Sequence, residues 1–260
     1  MKVKKVREFK LPVYHLSPQK VTKFLLSIVC LLILFNLGAR VVVRLLGYTS
    51  DSRIIFRYFD FDREFNFPSL YSALALAFSS YLLAIITVIE KSRRAKYGRH
   101  WKALSIIFLG LAIDEAFSIH ELSIPLLRNA INAEGILYFT WVIPAFLLLI
   151  IFAIAFRKFV KSLPWKTKII LVAAAVIYVS GALGMELIGG YIVDTFGYNN
   201  TFYGISAMLE EILEMLGIVV FIHGLLTYIQ SQLIELHFSL SFQETKSKFV
   251  GSSTNRISDN

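Results

Sequence analysis

Long apolar runs broken by short polar stretches set the pattern of this chain. Crossing roughly 30 Å of hydrocarbon takes a helix of about 20 mostly apolar residues. Six runs meet that length, at about 24–47, 68–90, 103–123, 136–156, 169–190 and 205–229. The pieces between them are too short for a second domain. The pattern predicts an all-α, polytopic integral membrane protein with a six-helix transmembrane bundle over residues 24–229. A basic segment, 1–23, precedes it, and a polar tail, 230–260, follows and is expected to be mostly disordered.

Charge orients the bundle. Of 27 Lys and Arg, seven lie in residues 1–23, six from Lys91 to Lys102, five from Arg157 to Lys168 and three beyond residue 229. The opposite side carries Arg53, Arg57, Arg63 and Arg128, while Arg40 and Arg44 lie inside the first run. An even number of spans with this bias puts both termini in the cytoplasm, or in the stroma of a thylakoid. A bacterial plasma membrane or a thylakoid membrane is the expected location.

Composition narrows the class further. The chain is 56% hydrophobic and only 17% charged, where a soluble domain carries roughly a quarter charged residues. One cysteine among 260 residues excludes a disulfide scaffold and a cysteine-based zinc cluster. Cys30, mid-span among Val and Leu, reads as a packing residue. The net charge of +9 belongs to the inner face and suits the lipid bilayer's anionic headgroups, not nucleic acid.

Two stretches outside the spans have their own character. Residues 1–20 alternate basic and apolar positions and are expected to lie on the inner headgroups. In the first outer loop, Phe56, Tyr58, Phe59, Phe61, Phe65 and Phe67 alternate with charges, as in a solvated interfacial strand. Its Asp60, Asp62 and Glu64 lack the sixth-position glycine of a calcium loop, since Phe65 stands there. Asn199-Asn200-Thr201 is a glycosylation sequon that matters only in a eukaryotic secretory compartment.

The informative residues are acids inside the spans. Span three holds Asp114, Glu115, His120 and Glu121, span five holds Glu186, and span six holds Glu210, Glu211 and Glu214. An ionisable group at mid-membrane costs roughly 3 kcal/mol. Seven unpaired carboxylates would outweigh the ~5–15 kcal/mol net stability of a typical domain. At 1.5 Å per residue they fall about 3–14 Å from the outer ends of their helices. They form one site open to the outer side. In a straight helix, Asp114, Ser118 and Glu121 share a face. Asn36, Arg40 and Arg44 form a stripe at similar depth, with the arginines as counter-ions or substrate contacts and Glu186 or Glu210 as their expected partners.

Carboxylates and a histidine projecting inward from several helices are how bundles hold metals. The expected ligands are Asp114, Glu115, His120, Glu121, Glu186, Glu210, Glu211 and Glu214. An oxygen-rich set suits a divalent ion from Mn, Fe, Zn, Mg and Ca. Neighbours in a straight helix point about 100° apart, so His120 and Glu121 should not chelate together, and the Glu-x-x-His pattern of di-iron bundles is absent. Five histidines are too few for a histidine-box desaturase. The same carboxylates would serve a proton- or cation-coupled transporter as relays. A non-catalytic membrane subunit with a polar packing core is the third reading. His223, in the inner half of span six, reads as a hydrogen-bonded core residue.

Overall fold

The structure, a computed structural model, describes residues 17–47 and 49–252. Side chains at 50–53, 55 and 233–252 are outside this description. Among the described residues the chain is helical throughout, without strands. Helix α1 spans Pro18–Leu46, α2 Ser50–Phe59, α3 Phe67–Ser92, α4 Gly98–Phe117 and α5 Ile124–Ile131. Helix α6 spans Val142–Ser162, α7 Trp165–Val179, α8 Glu186–Phe196 and α9 Thr201–Ser252. Most of the basic N-terminal segment, residues 1–16, and the last part of the tail, 253–260, lie outside the described residues. The backbone of α9 continues as helix into the region read as polar tail.

Among the described residues, five helical stretches are long and apolar enough to cross a membrane: α1, α3, α6, the α7–α8 stretch and Thr201–Gln232 of α9. A sixth is completed by α4 with residues His120–Ile131, bent by 74°. Six apolar stretches therefore stand where the hydropathy pattern put them. The third is not straight, and the expected helix over 103–123 fails at Ser118. That residue takes a left-handed conformation (φ 49°), α4 stops at Phe117, and a 3₁₀ turn, His120–Ser123, leads into α5. Pro125 sits in the first turn of α5, where its missing N–H costs nothing. The fifth stretch is also irregular, with a π-helical segment at Ser180–Met185 between α7 and α8.

Helices α3 and α9 are the most enclosed. Helix α3 packs along α4, and α9 contacts α1, α3, α7 and α8. The α3–α4 pair is tied by reciprocal bonds, with Ser80 Oγ donating to the Ser105 carbonyl (2.7 Å) and Ser105 Oγ to that of Ser80 (2.9 Å). Contact between α7 and α9 depends on a missing side chain, because a Cβ on Gly217 would stand 2.7 Å from the backbone nitrogen of Tyr178. Leu83, Ile86, Trp101, Ile222, Leu225 and Tyr228 form the centre of the larger core. His223 is hydrogen-bonded there to Thr22 (2.8 Å), as its position in the pattern suggested. Cys30 is exposed instead of packed.

Large apolar side chains cover the outside. On α6 alone, Phe146, Leu147, Leu148, Ile151 and Ile154 are each more than half exposed. Charged and polar groups are enclosed instead, among them Asn36, Asp60, Glu90 and Glu214. So large an exposed apolar surface, beside enclosed acids, departs from the pattern of a water-soluble domain.

Candidate functional site

The bend at Ser118 builds one side of the site. Backbone N–H groups of Ser118 and Ile119 donate to the Asp114 carbonyl, closing the last turn of α4. Beyond them the His120 backbone N–H donates to Asp114 Oδ1 (2.8 Å), while His120 Nδ1 lies 3.0 Å from Asp114 Oδ2. Asp114 therefore holds both the main chain and the ring of His120. The ring packs against the indole of Trp141 with centroids 4.7 Å apart. Trp141 Nε1–H in turn donates to Glu186 Oε1 at 2.6 Å.

The outer loop supplies a second side, against expectation. Its residues do not form a solvated strand. Helix α2 occupies Ser50–Phe59, and the loop after it folds inward. Asp60 is only 4% exposed. It receives Arg40 Nη2 at 3.2 Å and Arg63 Nε at 3.5 Å. Asn36, fully buried, donates to the Phe59 carbonyl (2.8 Å) and accepts from Arg40 Nε (3.1 Å). Asn66 then starts α3 with a capping box: its side chain accepts from the Ser69 N–H (3.0 Å), and Ser69 Oγ accepts from the Asn66 N–H (3.1 Å). The Asn66 amide also donates to the Asp60 carbonyl (2.6 Å). These bonds fix Glu64 between two anchored points.

Glu64 is the acid the pattern missed. Its ligand oxygen, one nitrogen of His120 and an oxygen of Glu121 lie within 4.8 Å of one another. Burial pushes its carboxyl up from the ordinary range, and the negative charge of Glu121 adds to the shift. Asp60 is also raised, mainly by burial, against the pull of Arg40, while the exposed Asp62 accepts a Tyr203 hydroxyl bond. The expected shared face of Asp114, Ser118 and Glu121 does not exist, because the helix ends at Phe117. For the same reason His120 and Glu121 escape the 100° separation of a straight helix and both reach Glu64.

The remaining acids lie on the α7–α8 stretch, α4 and α9. Glu186 and Glu210 share a side-chain hydrogen bond. Two carboxyls so placed hold either a proton or a cation between them. Close approach here uses Gly181, where a Cβ would meet the Glu210 carbonyl at 2.8 Å and Glu214 Cγ at 3.1 Å. Glu214 is buried, and one oxygen of Glu211 is enclosed without a hydrogen-bond partner. The charges that act on Glu211 most strongly are those of Glu115, Glu214, Glu64 and Glu186, and those on Glu214 include Glu115, Glu186, Glu64 and Asp114. All seven acids of the pattern thus gather at one end of the bundle, joined by Glu64.

The arginine stripe behaves differently from its expected role. The ion pair of Arg40 is with Asp60, not with Glu186 or Glu210. Its guanidinium also lies against Gly204, where a Cβ would stand 2.9 Å from Nη1. Arg44 is exposed one turn further along. The far rim is aromatic: the Arg128 guanidinium stacks 3.5 Å from the Tyr138 ring, and Tyr138 is bonded to Tyr198.

Fold and site together describe a helical chain, among the described residues, with long apolar outer faces and a carboxylate–histidine cluster at one end. Residues 25–229 match a domain of unknown function, DUF8692, and the chain belongs to that family. Neither the curated proteins nor the solved structures yield a match to the chain.

Proposed function

We propose that the chain is a polytopic membrane protein whose acid-rich end binds a divalent metal ion from the side opposite its cytoplasmic termini. The observation that carries this reading is the surface and the acid end taken together: large apolar side chains cover the helices, while the acids of α4, α8 and α9 gather around Glu64 and His120. With Arg40 engaged by Asp60, the acids of α4, α8 and α9 face mainly one another. Like charges at such range do not all ionise, so cations or protons supply the balance. An oxygen-rich set with one imidazole fits Mn, Fe or Zn, with Mg and Ca as harder alternatives. Anionic headgroups would meet the basic loops at the other end.

Equilibrium dialysis of the purified full chain in nanodiscs against Mn²⁺ and Zn²⁺ tests the site. About one tightly held ion per chain supports it, and no uptake of either removes it. Cysteine labelling in a Cys30→Ala background tests the topology. Residue 96 is expected to be reached only from the cytoplasmic side and residue 134 only from the opposite side.

The Glu186–Glu210 carboxyl contact favours a second reading, proton-coupled cation transport. Vesicles containing the protein would then acidify or alkalinise when a cation gradient is imposed, and Glu210→Gln would stop it.

A further inference from the structure

The cation-binding reading leaves eight acids and one histidine as candidates, and the structure separates them. Most acids of α8 and α9 face other carboxyls in an enclosed interior. Among the described residues, only at the bend do a loop acid, a histidine and a second acid converge where the chain is open: Glu64 and His120 are half-buried and Glu121 is exposed. With Nδ1 of His120 engaged by Asp114, Nε2 is the nitrogen left to coordinate. A ligating histidine held through its other nitrogen by a carboxylate is the arrangement that fixes tautomer and ring orientation in metal sites. Trp141 packs on the same ring and limits its rotation.

A second observation bears on the same place. Ser118 is 6% exposed, yet its hydroxyl has no hydrogen-bond partner of ordinary geometry. It is turned toward the Glu64 carboxylate, close enough for a loose hydrogen bond. A buried hydroxyl without a well-formed bond is costly unless something completes it. A water on a metal bound at Glu64 would do so. Ser118 holds this position only because its left-handed backbone turns the chain there.

We infer that Glu64, His120 and Glu121 are the protein ligands of one divalent ion, that Asp114 is the positioning residue for His120, and that Ser118 faces the ion's open coordination position. The present 4.8 Å spread of ligand atoms closes by side-chain rotation onto bonds of about 2.0–2.2 Å. Two carboxylates and one imidazole select Mn²⁺, Fe²⁺ or Zn²⁺ over Ca²⁺, whose sites use oxygen alone. Three protein ligands leave room for water or a substrate oxygen.

The test is Mn²⁺ binding to the full chain in nanodiscs, read by dialysis and by electron paramagnetic resonance. Wild-type protein is expected to show nitrogen hyperfine coupling from one imidazole on the bound ion, absent in His120→Asn. Glu64→Gln should weaken Mn²⁺ binding at least tenfold more than Glu214→Gln does. Asp114→Asn should weaken it about 10–100-fold, whereas Asp194→Asn, on an exposed acid bonded to the Gly135 N–H, should leave it unchanged. Wild-type nitrogen coupling needs no variant to fold, so its absence from bound Mn²⁺ overturns the ligand assignment by itself. Loss in Glu214→Gln with affinity kept in Glu64→Gln also overturns it, while cation binding stands. Wild-type protein that takes up no Mn²⁺ or Zn²⁺ defeats the cation reading itself.

Discussion

Helix α9 passes through two opposite environments. Over its apolar stretch Thr201–Gln232, the second half contributes Ile218, Val219, Ile222 and Leu225, all buried against apolar partners. Its first half carries Glu210, Glu211 and Glu214 against other acids. At the apolar end the neighbours are regular helices, close enough at Gly217 that a methyl group would strike the Tyr178 backbone. At the acid end the neighbours are broken by the left-handed Ser118, the 3₁₀ turn after it and the π-helical segment 180–185. Such breaks in helical hydrogen bonding tend to mark functional sites. The comparison teaches that close packing goes with regular helices at one end, and acids with broken ones at the other. Irregular backbone collects where carboxylates must be aimed.

The largest expected effect tests the packed end. Trp101 is 1% exposed and wedged between Phe159 (4.9 Å) and Tyr228 (5.0 Å). Trp101→Ala should cost about 3–5 kcal/mol, measured by denaturant unfolding in detergent, and leave Mn²⁺ affinity of the surviving fold unchanged. A lost metal site with little lost stability would erase the distinction between the ends.

Arg40→Leu ranks second. Breaking a buried ion pair costs roughly 3–5 kcal/mol, and Arg40 keeps 32% of its side chain exposed, so about 2 kcal/mol is expected here. This loss should depend on pH. Burial raises the folded-state pKa of Asp60 and Arg40 pulls it down. A raised carboxyl contributes stability that is full below its unfolded value and lost as pH rises through the folded one. Removing Arg40 raises that folded value further. The melting difference between wild type and Arg40→Leu should therefore be small near pH 5 and larger at pH 8, while Asp60→Asn should flatten it. A pH-independent difference would remove Asp60 as the partner.

Much of this was legible in the sequence. The long apolar helical stretches and the acids within them both follow from composition within single segments, which hydropathy and the 3.6-residue period read directly. The bend did not, because a straight helix over 103–123 contains neither Gly nor Pro near its break at Ser118. Pro125 was the available signal, since a proline early in a helix marks a new start. Glu64 was missed because alternating charge and aromatic residues look solvated. Asn66-Phe67-Pro68-Ser69, a capping box with proline in the first turn, could have shown that the loop acids are tethered to the next helix. Arg40 found Asp60 because a guanidinium pairs with whatever the loop brings to it, and loop paths are not periodic.

The smallest effect sharpens this last point. Asn66→Ala removes the cap, worth about 1 kcal/mol, and frees the Asp60 carbonyl that the amide holds. Mn²⁺ affinity should fall modestly with the stability, since Glu64 loses one of its anchors. Unchanged affinity would mean that the cap does not position Glu64.

Hydrogen–deuterium exchange of the full chain, with and without Mn²⁺, tests the central claim most directly, because local protection reports local opening. The account predicts that Mn²⁺ slows exchange in residues 60–66 and 118–124 and leaves residues 218–228 as they were. Equal protection at both ends, or none at the bend, would contradict it.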